Sequence, residues 1–178
     1  MKPLCKTVLS SILVMLLTAG CFYNVSVHHE YDAQTDFDRL ETYNWFPLLQ
    51  RAQVSEDHML GVKRTVDEEM ETKGLMLSET DPDFLVSLHF DRRRVEEIQE
   101  WEFTEPMERD LDLESRRVKI RRDEVTIYLY FIDAESRELF WHGSAMVNIF
   151  PHYSHKSIAR AFDQAALEIL RNFPPAIK

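Results

Sequence analysis

The chain has 178 residues, with 21 Lys and Arg against 31 Asp and Glu, a formal charge of -10, two Cys and four Gly. Its 44% apolar, 29% charged and 11% aromatic residues suffice for the core of one globular domain, which excludes disordered, collagen-like and mucin-like chains. An acidic surface repels phosphate backbones, and neither a basic aromatic stripe nor a Cys/His cluster offsets it, so no nucleic acid is expected as a partner.

The first element in chain order is an address. Lys2 and Lys6 precede an apolar run over residues 8–17 that only Ser10 and Ser11 interrupt. As a helix that run is on the order of 15 Å, half the hydrocarbon thickness of a bilayer, so residues 1–20 read as a cleaved signal peptide and not a permanent span. Leu17-Thr18-Ala19-Gly20-Cys21 looks like a bacterial lipobox, which implies cleavage between Gly20 and Cys21 and acylation of the Cys21 thiol by diacylglyceryl and palmitate-type chains. Cys5 leaves with the signal peptide, so a single thiol remains, and acylation would consume it. Loss of Lys2 and Lys6 makes the mature chain more acidic still, and its hold on a membrane would come from the acyl chains. Phe22 in place of Asp after Cys21 points to the outer membrane, facing the periplasm.

The mature part, residues 21–178, reads as a single domain. Tyr23, Val25, Val27, His29 and Tyr31 alternate with Asn24, Ser26, His28 and Glu30, the pattern of a half-buried strand. Phe37 and Leu40 pin the turn that follows. Residues 42–46 form a second strand stopped by Pro47. Ser55 is the expected N-cap of a helix with Met59, Val62, Val66 and Met70 on its apolar face and Gly74 at its end. Asp81-Pro82-Asp83 is a turn, and residues 84–90 make a strand apolar enough for the middle of a sheet.

Residues 91–124 hold twelve acids and nine bases. Trp101 alternates with Phe103, and Val118 and Ile120 oppose Arg117, Lys119 and Arg121, which predicts a charged hairpin-like excursion. Arg92, Arg93, Arg94, Trp101, Phe103, Arg117, Lys119 and Arg121 are its candidate contact residues for an envelope protein partner. The strand alternation begins close to Cys21, so the body is expected to sit against the membrane and the excursion to meet a partner away from it.

Residues 125–132 and 139–150 form a hairpin about a turn at 133–137, and Gly143 permits a bulge or a close backbone approach. Ile158, Ala161, Phe162, Ala165, Ile169 and Phe173 mark a helix over about 154–172, ended by Pro174-Pro175. The expected fold is α+β: a mostly antiparallel twisted sheet of about five strands with two helices packed on one face, in β-β-α-β-β-β-α order.

Asp36-Phe37-Asp38-Arg39-Leu40 with Thr42-Tyr43-Asn44-Trp45, Pro82-Asp83-Phe84-Leu85-Val86, Ile132-Asp133 with Leu139-Phe140-Trp141-His142-Gly143, and Ile169-Leu170-Arg171-Asn172-Phe173-Pro174-Pro175 recur in one order. The pattern resembles the bacterial envelope lipoprotein family catalogued as domain of unknown function 4136. The resemblance implies a lipid-anchored α+β domain and brings no catalytic residues.

No Gly-x-Ser-x-Gly, His-Glu-x-x-His, phosphate-cradling Gly loop or Cys-x-x-Cys is present, so neither enzymatic activity nor a cofactor or metal is expected. His152 and His155 share a helix face with no spacing that selects a metal, and His28 and His29 point to opposite faces of a strand. Tyr43, Trp45, Tyr128, Tyr130, Trp141 and Tyr153 are read chiefly as sheet core. The leading expectation is a structural or protein-interaction module of the envelope. The alternative is a periplasmic glycan- or peptide-binding module that uses sheet aromatics.

Overall fold

The computed structural model describes residues 25–46, 54–100 and 117–175. The predicted signal peptide, Gly20, Cys21, Trp101 and Phe103 lie outside the described residues. The elements run β1 (Ser26–Tyr31), a 3-10 turn (Phe37–Arg39), β2 (Thr42–Trp45), α1 (Glu56–Thr72), β3 (Met76–Leu77), β4 (Phe84–Glu100), β5 (Arg117–Asp133), β6 (Leu139–Ile149) and α2 (His155–Leu170).

One sheet has the order β1-β6-β5-β4-β2-β3. It is six-stranded and mixed, since β2 pairs parallel with both β3 and β4, while β4-β5, β5-β6 and β1-β6 are antiparallel. The parallel pairs follow from α1. A chain that leaves β2, crosses one sheet face as a helix and returns can only re-enter alongside β2 in the same direction. The additional strand is the two-residue β3, too short for any hydrophobic period to reveal.

Both helices cover one face. Val62, Val66 and Met70 of α1 and Ala161, Phe162, Ala165, Ile169 and Leu170 of α2 are buried with Tyr43, Phe84, Val86, Ile127, Leu129, Phe131, Trp141 and Ala145 of the sheet. Phe173, just past α2, lies with its ring 4.5 Å from Phe131 and 5.1 Å from Trp141, both edge-on. Each such fully buried large side chain stabilises the fold by about 1.5–3 kcal/mol. The helices also join each other: Thr65 Oγ1 donates to Asp163 Oδ1 at 3.1 Å, and the His58 ring stacks on His155 at 4.1 Å.

Local signals place the helix ends. Gly74, at φ +84°, follows α1 in the left-handed region, with its N–H bonded to Glu71 O and the Leu75 N–H to Met70 O. Ser154 caps α2 by accepting from the Ser157 N–H at 3.1 Å. Ser55 occupies the N-cap of α1, but its hydroxyl pairs with His58 Nδ1 at 2.9 Å and leaves the backbone uncapped.

The motifs that carry the family resemblance lock turns. The Asp83 carboxylate accepts from Glu41 N, Thr42 N and Thr42 Oγ1 at 2.8–3.0 Å, which joins the start of β4 to the start of β2. Asp133 Oδ1 accepts from Glu135 N and Ser136 N, and its other oxygen accepts from Arg39. Gly143 is a close approach and not a bulge. The ladder runs through it unbroken, and the register shift falls between Phe131 and Ile132. Its backbone is not left-handed; what it needs is room.

β4 and β5 outlast their neighbours. β6 ends opposite Asp123, and beyond that level six residue pairs, Val95↔Arg122 to Glu100↔Arg117, continue as a two-stranded ribbon. At about 3.3 Å per residue this ribbon extends roughly 20 Å past the sheet. Ser26 pairs with Met146, three residues short of Ile149, so the chain enters β1 from the end of the sheet at which the ribbon leaves.

Candidate functional site

The ribbon holds the described part of the charged excursion. Strand alternation puts Arg92, Arg94, Glu96, Lys119, Arg121 and Asp123 on the helix-side face, and Arg93, Glu97, Arg122 and Glu124 on the other. Asp123 accepts from Arg92 and pairs with Arg94, while Glu96 sits between Lys119 at 2.6 Å and Arg121 at 3.1 Å. On the opposite face Glu124 accepts from Arg93, and Arg122 bridges Glu97 at 2.7 Å and Glu124 at 3.1 Å. Arg117 opens β5 opposite Glu100.

Of the predicted contact residues, the structure therefore brings Arg92, Arg93, Arg94, Lys119 and Arg121 together as members of two interleaved ion-pair ladders. Within the described residues the signs alternate across the strands. A phosphate backbone would have to displace these carboxylates. The Arg93 and Arg94 side chains are 74% and 76% exposed despite these pairs. Ile98, at 61% exposure, adds an apolar point to the helix-side face. Where the ribbon leaves the body, a cleft of about 400 Å³ is lined by Arg92, Arg94, Arg121, Ile149, Phe150 and Tyr153.

The ladders also set the acid response. Hydrogen bonds from Arg92 hold Asp123 below the usual carboxylate range, those from Arg93 and Arg122 do the same for Glu124 against a smaller opposing effect of burial, and Lys119 lowers Glu96. Depressed carboxylates contribute stability that is fully present above their unfolded values, near 4, and is lost as pH falls through their lower folded values. The thermal midpoint should accordingly be level from about pH 8 to pH 5 and drop below about pH 4. In Asp123→Asn/Glu124→Gln the difference between pH 6 and pH 3 should shrink; an undiminished difference would show that the ladders do not contribute.

The sheet aromatics separate into two sets. Tyr43 and Trp141 are core, 1% and 0% exposed. Burial, and then the Asp67 carboxylate that its hydroxyl donates to at 2.7 Å, raise the Tyr43 pKa. Trp45 donates to the same Asp67 from the helix side, with the Lys63 ammonium over its ring. Tyr153 packs on Phe150 and His152 at the ribbon base. Tyr128 and Tyr130 alone of the six lie on the face without helices, stacked at 6.0 Å and flanked by His89 and His142.

One grouping had no signal in the sequence. His28 and Glu30 point outward from β1, and His142, the register partner of Glu30 on β6, meets them. It is 112 residues from Glu30 in the chain, and only the register brings the two together. His152, His155 and Asp163 form no comparable group among the described residues. Also among these residues, no helix is long and apolar enough to cross a membrane.

Residues 27–175 match the family described as Domain of unknown function (DUF4136), and the chain belongs to that family. No curated protein matches it. Among solved structures, it is similar to a PDZ domain protein from Parabacteroides distasonis at 13% identity and a TM-score of 0.51, over 93% of this chain and 39% of that one. The match is thus to less than half of that protein, and it extends to the fold alone. A PelC dodecamer from Paraburkholderia phytofirmans aligns over 82% of this chain and 96% of that one, at 9% identity and a TM-score of 0.47.

Proposed function

We propose that this member of the DUF4136 family is a lipid-anchored protein-interaction module of the bacterial envelope, placed at the outer membrane by acylated Cys21, with the β4-β5 ribbon as its contact arm. The observation that carries the reading is the ribbon itself. A two-stranded ribbon has no core of its own and is marginal in isolation, and here cross-strand ion pairs hold one in place that the folded body does not need. A structure maintained away from the core is best explained by what it touches.

The position of that arm follows from the register. Cys21 lies five positions before Ser26, a span of at most about 18 Å, whereas the described ribbon ends roughly 30 Å beyond the level of Ser26 at the same end of the sheet. These distances support a lipid and an arm that serve the same side, with the partner met at the membrane surface and not across the periplasm.

Deleting residues 96–114 should leave the body folded, because among the described residues none of 96–100 belongs to the core, and should abolish recovery of crosslinked envelope complexes. Wild-type recovery from the deletion variant would place the contact elsewhere. A second reading, a glycan- or peptide-binding face, draws on the Tyr128-Tyr130 stack across the uncovered sheet face. Under that reading, Tyr128→Ala and not the deletion would abolish binding.

A further inference from the structure

We propose that His28, Glu30 and His142 form a binding site for one divalent transition-metal ion of the Zn²⁺ class. His28 and Glu30 stand two apart on β1 and so share its outward face, and Glu30 lies directly opposite His142 across the β1-β6 ladder. The strand pairing thus fixes three donor-bearing positions in a triangle before any ligand arrives.

The geometry fits a tetrahedral ion. Bonds of about 2.0–2.1 Å at tetrahedral angles place donors about 3.3 Å apart. His28 Nε2 lies 3.1 Å from one Glu30 oxygen, His142 Nε2 lies 4.0 Å from the other, and the donor atoms of all three residues fall within 4.8 Å of one another. Small side-chain rotations close the remaining gaps. The rings of His28 and His142 are tilted by 58° at 6.3 Å and are not stacked on each other, which leaves space between them for an ion.

The donor set narrows the ion. Two imidazoles and one carboxylate favour Zn²⁺, Fe²⁺, Ni²⁺ or Cu²⁺ over Ca²⁺ or Mg²⁺, which take oxygen ligands. The His28 and Glu30 side chains are each 67% exposed and the His142 side chain 25%, so ions and completing water ligands reach the site directly from solvent. Tyr130 lies against the His142 ring at 5.9 Å and restricts its orientation from the protein side. An ion held there would clip β1, the edge strand, to β6.

The probe is Zn²⁺ alone, titrated calorimetrically into the full chain in detergent micelles, with Mg²⁺ as a control. One saturable Zn²⁺ site is expected, with at least tenfold weaker binding in His28→Gln and in His142→Gln, unchanged binding in His89→Gln and His152→Gln, and no Mg²⁺ binding. Zn²⁺ should also raise the melting midpoint of the wild type and not that of His142→Gln, because an ion that binds only the folded state stabilises it. The circular dichroism of His28→Gln and His142→Gln without metal should equal that of the wild type, which separates loss of ligand from loss of fold. Absence of saturable Zn²⁺ binding, or binding that survives both His28→Gln and His142→Gln, would overturn the proposal.

Discussion

Replacing Gly143 with Val is expected to lower the thermal midpoint on the order of 5–10 °C, the largest stability loss from any single methyl-bearing substitution in the sheet. Gly143 pairs with His29 on one side and Leu129 on the other, and its missing side chain would point into the core beneath α2. A Cβ built there would stand 2.5 Å from Ile169 Cγ2 and 2.6 Å from the Trp141 ring. Neither neighbour is free to retreat, since both are 0% exposed and packed with Phe131 and Phe173. Forcing extra carbon into such a core costs about 1–3 kcal/mol and occasionally more, and Val adds three atoms where even one does not fit. For a domain of this size each kcal/mol is about 2–4 °C. Ile169→Ala removes the nearest atom, so Gly143→Ala should cost less on that background than on the wild type. Equal costs on the two backgrounds, or melts of Gly143→Val and wild type that coincide, would contradict the packing account.

Under the proposed anchoring, Cys21→Ser is expected to eliminate acylation, because a diacylglyceryl thioether requires the thiol and no other Cys follows Cys21. Each buried CH₂ contributes about 0.8 kcal/mol, so the several acyl chains of a mature lipoprotein exceed what stable anchoring needs, while their complete loss leaves a strongly acidic domain with no electrostatic attraction to anionic lipid. The variant should therefore incorporate no clickable fatty acid and should leave the membrane fraction. Equal labelling of variant and wild type would remove the anchor and the localisation together.

The elements that the sequence announces are those with a period or a cap. Phe84 to Phe90 and Val125 to Ile132 read as strands because apolar side chains are needed in the middle of the sheet, and Ile158, Ala161, Ala165 and Ile169 read as a helix because α2 turns that stripe onto the sheet. What stayed hidden depends on pairing. β3 is a two-residue edge defined by its bonds to β2, and the parallel direction of β2 is decided by the α1 crossover, not by residues of β2. The continuation of β4 through Arg92, Arg93 and Arg94 is unlike any apolar strand signal, since ion pairs with Asp123 and Glu124 replace a hydrophobic face. Likewise, His28 was readable as a strand residue, but nothing local to it names His142 as a neighbour.

The contact arm is tested most directly by a photo-crosslinking residue placed, one position at a time, at Ile98 on the ribbon, Leu60 on α1 and Tyr128 on the open sheet face of the full chain expressed in a bacterial envelope. Ile98 and Leu60 are similarly exposed, at 61% and 53%, so a difference between them reports the partner and not accessibility. A discrete adduct of defined mass is expected from Ile98 and none from Leu60 or Tyr128. An adduct from Tyr128 or Leu60, with none from Ile98, would contradict the contact arm.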